Sequence, residues 1–130
     1  SAAKEIAFYL NFSKSKAILT LDQFYYKVAE ILPDLENPTE ILIAKVADEL
    51  PLPLNALYPM TKGARAVKKL PKTGYTLWYD MVKAGKDTVL PADDGKYGDC
   101  GAILYSGGTT GTTKGIQLSN MNFNALGAEP

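Results

Sequence analysis

The sequence predicts an α/β fold, an open and mostly parallel sheet with flanking helices. Three observations carry that expectation. Short apolar runs at "KAILTL" (residues 16–21), "ILIAKV" (41–46) and "AILYS" (102–106) have the length of buried strands. A helical stripe lies between the first two runs, and a strand–helix–strand crossover makes its two strands parallel neighbours. A second helical stripe precedes the third run.

Taken in order, Ala3, Ile6, Ala7 and Leu10 recur at helical spacing, so the chain enters on a helix ending near residues 11–16. After the first strand, Thr20 and Gln23 have the spacing of a capping box. Phe24, Val28, Ile31 and Leu32 then share one face, and Pro33 closes that helix. The run "LPLPLNALYPM" holds Pro51, Pro53 and Pro59, so it is expected to be an ordered loop, neither helix nor central strand. Its Leu50, Leu52, Leu54, Leu57 and Tyr58 are expected to lie against apolar surface. Thr76 is placed to cap a helix carrying Leu77, Trp78, Met81 and Val82, with Gly85 at its end. The stretch "LPADDGKYGDCG" is turn chemistry, with Asp94-Gly95 its strongest signal, and delivers the chain to a third buried strand.

At 130 residues the chain has the size of a single domain, here 1–130. Lys+Arg 14 balance Asp+Glu 14, so no global field favours nucleic acid, and no nucleic-acid partner is expected. No apolar run approaches the ~18 residues of a membrane helix. One cysteine, Cys100, cannot form an internal disulfide, which favours a cytoplasmic location, and it reads as a small apolar residue near a strand start. Histidine is absent, which removes Ser-His and Cys-His nucleophile pairs and every imidazole zinc site. No metal ligand set and no catalytic residue is assigned within the chain. Residues 1–8 show no secretory apolar core, and the chain begins without Met, so it is expected to be a cut piece of a larger protein.

Lys62, Arg65, Lys68, Lys69 and Lys72 make "KGARAVKKLPK" basic, with no acid inside it. A solvated face explains most such runs; a phosphate site or peripheral membrane contact is the sharper alternative.

The most informative stretch is "AILYSGGTTGTTKGIQLS", residues 102–119. A strand entering Gly107, Gly108 and Gly111 can turn sharply and bring backbone amides close to a ligand, because glycine has no Cβ and tolerates positive φ. Ser106, Thr109, Thr110, Thr112 and Thr113 add hydroxyls, and Lys114 adds a positive charge. Together they suit an anion, phosphate above all. A surface loop merely rich in Gly and Thr would not need buried strands on both sides. The Walker A spacing fails because Thr112 and Thr113 separate Gly111 from Lys114, and the dinucleotide spacing fails because Gly107 and Gly108 are adjacent. "GIQLS" alternates like a strand, so the loop is expected to join strand to strand.

"LYSGGTTGTTKG", residues 104–115, resembles the phosphate-binding signature of the AMP-forming adenylating enzymes, which include acyl-CoA synthetases, peptide-synthetase adenylation domains and luciferases. "LSNMNF" is similar to the segment that follows the signature in that family. "LPLPLNALYP" and "TLWYDMVKAGKD" look like the stretch preceding it in bacterial long-chain fatty acid–CoA ligases, so the resemblance spans most of the chain. It implies a fragment of the large N-terminal domain of such an enzyme, with Ser106, Gly107, Gly108, Thr109, Thr110, Gly111, Thr112, Thr113 and Lys114 wrapping the β- and γ-phosphates of MgATP. It also implies ATP, Mg2+ and coenzyme A as cofactors and a fatty acid as substrate. In that family a carboxylate attacks the α-phosphorus, pyrophosphate leaves, and the acyl-adenylate is captured by the coenzyme A thiol. The family's adenine pocket, magnesium-binding glutamate and C-terminal lysine lie downstream of the signature, so the fragment alone is expected to be inactive. Thr113 departs from the proline usual before the lysine, and Asn120-Met121 from the usual His-Arg. Two alternatives stand beside this reading: an α/β module that binds a phosphate-bearing ligand without chemistry, and an adenylating enzyme for an amino or aryl acid.

Overall fold

Helix α1 spans Ala2–Ser13 in the computed structural model, which describes residues 2–92, 94–106 and 113–128. The helix stops as the spacing predicts, and the stop has a clear cause. Lys14 turns left-handed at φ 52, Ser15 N donates to Leu10 O at 3.0 Å, and Lys14 N donates to Asn11 O at 3.1 Å. These two bonds are the paired closures of a Schellman end, here built on lysine where glycine is usual.

Strand β1, Ala17–Leu21, runs parallel to β2, Glu40–Ala44, in the register Ala17↔Glu40 to Leu21↔Ala44. The crossover between them is a 3-10 turn at Asp22–Phe24, helix α2 at Tyr25–Ile31 and a second 3-10 turn at Leu32–Asp34 that takes up Pro33. Thr20 does not cap α2 as expected. It sits inside β1, and no side chain caps the 3-10 turn that replaces the predicted first helical turn.

The third parallel strand is β3, Thr76–Leu77, paired as Leu42↔Thr76 and Ile43↔Leu77, giving the order β1-β2-β3. This corrects two expectations. Thr76 is not a helix cap: its hydroxyl donates to Glu40 Oε1 across the sheet at 2.7 Å, and α5, Trp78–Ala84, begins after it with Leu77 at the N-cap and no side-chain cap bond. The run 102–106 is not a buried strand of this sheet either, as described below. The end of α5 is as read, with Gly85 N bonded to Met81 O at 3.0 Å.

The proline-rich run also differs from expectation. Pro51 O accepts from Leu54 N at 2.8 Å, and a short helix α3, Leu54–Leu57, forms between the prolines, followed by a 3-10 turn at Tyr58–Met60. Proline is compatible with this because Pro53 precedes the first helical residue and Pro59 lies early in the 3-10 turn, where no amide donor is required. Helix α4, Lys62–Ala66, follows, with the Thr61 hydroxyl accepting from Ala64 N at 3.1 Å.

The core of this unit lies where α1, α2 and one sheet face meet. Tyr25, Val28, Ile41 and Ile43 form its centre, with Ile18, Leu70, Tyr75 and Leu77 packed around them. Ala7, Leu10 and Ile31 form a second cluster that joins α1 to α2. Alternation in β2 explains the pattern: Ile41 and Ile43 point to the buried face, and Leu42 between them is half-buried. Asn11 ties α1 to the crossover, its amide donating to Asp34 O and its carbonyl accepting from Glu36 N. Among the described residues no helix is long and apolar enough to cross a membrane.

The chain divides into two compact units after Thr88. The second holds β4, Cys100–Ser106, antiparallel to β5, Lys114–Ser119, and then helix α6, Asn120–Ala128.

A candidate phosphate-binding hairpin

Of the residues read as a phosphate loop, Ser106 ends β4 and Lys114 begins β5. Strand register pairs Tyr105 with Gly115 and Ser106 with Lys114, so the first hydroxyl and the only lysine of the motif face one another across the last rung. Strand-to-strand connection was the reading of the sequence, and the pairing supports it. Lys114 is exposed, while Ser106 and Thr113 are half-buried. Gly107, Gly108, Thr109, Thr110, Gly111 and Thr112, assigned above to the phosphates, lie outside the described residues.

The hairpin differs from its expected burial. Leu104 and Ile116 are 57% and 51% exposed, and Cys100 and Gly101 are exposed as well. The cause lies in the strand partners: β4 pairs only with β5 among the described residues, so within this unit no second layer covers the outward face.

The other end of the hairpin is held by a polar network that starts with a turn. Asp99 N donates to Lys96 O at 3.0 Å, and the Asp99 carboxylate accepts from Lys96 N at 2.8 Å. The reversal therefore sits at Lys96–Asp99, not at Asp94-Gly95. Asn120 closes onto this turn, its N–H donating to Asp99 O and its side-chain amide to Lys96 O, each at 3.0 Å. Met121 N donates to Tyr97 O at 3.0 Å. Asn120 is thus a structural residue here, joining the start of α6 to the entry of β4.

Helix α6 was not predicted, although its signal was legible. Ser119 and Asn122 form a reciprocal cap: the Ser119 hydroxyl accepts from Asn122 N at 3.4 Å, and Asn122 Oδ1 accepts from Ser119 N at 2.8 Å. The Ser-x-x-Asn spacing does the work usually assigned to Ser-x-x-Glu. This cap ends β5 and starts α6 within one residue.

Close packing at the base makes Gly101 irreplaceable without adjustment. It lies at the register shift between Cys100 and Ala102, and a Cβ there would come within 2.8 Å of Asn120 Oδ1 and 3.3 Å of the Phe123 ring. Gly101→Ala is therefore expected to destabilise the hairpin base by about 1–3 kcal/mol through overpacking. The measurement is amide hydrogen exchange of Met121 and Asn120, which should accelerate; unchanged exchange there would remove the argument.

No group of three or more Cys, Asp or Glu side chains among the described residues is arranged to hold a metal ion. Among the described residues Ser106, Thr113 and Lys114 supply hydroxyls and an ammonium beside the loop, groups suited to an anion.

Comparison with known proteins gives two findings. The chain matches the family model described as "AMP-binding enzyme" over residues 1–129. It is also 32% identical over 124 residues to a protein named long-chain-fatty-acid–CoA ligase from Bacillus subtilis (strain 168), an alignment covering 93% of this chain and 22% of that relative. The chain thus spans about a fifth of the length of the curated relative it matches. No solved structure matches.

Proposed function

Because the chain belongs to the AMP-binding enzyme family, we propose that it is the phosphate-binding part of the N-terminal domain of a long-chain fatty acid–CoA ligase. The observation that carries this reading is the register pair Ser106 and Lys114, which sets a hydroxyl and an ammonium at the two ends of the Gly/Thr loop. The relative's name supports a fatty acid as the substrate, and the family description supports an adenosine nucleotide as its partner.

In this reading the loop from Ser106 to Lys114 holds the β- and γ-phosphates of ATP. Hydroxyls and amides of the loop fix the triphosphate so that the substrate carboxylate approaches the α-phosphorus opposite the bond to the leaving oxygen. As that bond breaks, negative charge grows on pyrophosphate, and Lys114 is the group in the motif that meets it with full positive charge. Bound Mg2+ would supply countercharge to the triphosphate. In the second half-reaction the coenzyme A thiol attacks the acyl carbon, and AMP leaves as the acyl–phosphate bond breaks.

The test is acid-dependent exchange of pyrophosphate into ATP by the full-length protein, run with long and short fatty acids, aryl acids and amino acids. Exchange driven by long-chain fatty acids is the expected result. Exchange driven only by an amino or aryl acid would transfer the chain to another branch of the family, and none with any acid would leave a phosphate-binding module.

A further inference from the structure

We draw no further inference here: the strongest candidate, the cleft of about 470 Å³ beyond the carboxyl ends of β1 and β2 that Asp22, Lys45, Lys68 and Lys69 line, carries nothing, because the chain spans 22% of the relative it matches and nothing in the structure shows what covers that cleft.

Discussion

Lys114→Ala in the full-length protein is expected to slow fatty-acid-dependent pyrophosphate–ATP exchange by roughly 10²- to 10³-fold, the usual cost of removing one group that meets charge developed in the transition state. The residue is exposed at the mouth of the hairpin and paired in register with Ser106, so its removal takes away a cation without opening a core. The mutant should therefore retain wild-type thermal unfolding. Lys114→Arg should recover part of the rate, since it keeps the charge while changing the shape of the donor. Wild-type exchange in the alanine mutant would sink the assignment of the loop to the leaving pyrophosphate. A loss of exchange accompanied by unfolding would show that Lys114 supports the hairpin instead.

Ile43→Ala should cost about 2–5 kcal/mol, the range for deleting most of a fully enclosed aliphatic side chain. Ile43 is 1% exposed and packs with Tyr25, Val28 and Ile41, so the vacated volume has α2 on one side and the sheet on the other. It is also the register partner of both Thr20 in β1 and Leu77 in β3, so β2 is the element through which all three strands are joined. Hydrogen exchange of β1 and β2 amides reports the loss, and it should rise by at least about 30-fold if opening of this unit becomes easier by 2 kcal/mol. Leu19→Ala in the same sheet is the contrast: Leu19 is 53% exposed, and its replacement should change exchange little. Equal effects at the two positions would contradict the burial pattern.

Which parts of this structure could be read from the sequence depends on how local their causes are. The stripe Ala3, Ile6, Ala7 and Leu10 and the run Ile41 to Ala44 announce α1 and β2, because periodicity of 3.6 or a buried apolar run is a property of neighbouring residues. The strand-to-strand form of the Gly/Thr loop was equally legible, since apolar runs flank it on both sides. Thr76 misled because threonine suits both a helix cap and a strand, and only its bond to Glu40, 36 residues away in sequence, decides between them. The run 102–106 misled for the converse reason. An apolar strand looks the same whether it joins a parallel sheet or a lone hairpin, and pairing partners are non-local. In the proline-rich run, each proline fell where a short helix needs no donor, which residue counting alone does not show. At the candidate site the residue types suggested an anion, while the base network of Asn120, Asp99 and Lys96 was not visible, because it joins residues up to 24 apart.

In the proposed reading the hairpin is clamped at one end and carries its anion-binding groups at the other, like a cantilever. Six residue steps from Cys100 to Ser106 put roughly 20 Å between the clamp at Asn120 and the tip at Ser106 and Lys114. Over that separation the energetic effects of substitutions are close to independent. Sequence change at the tip is therefore expected to leave the joint to α6 intact, and sequence change at the joint to alter stability without touching the proposed anion site. Such a division lets one scaffold explore many loop sequences while its mounting stays fixed.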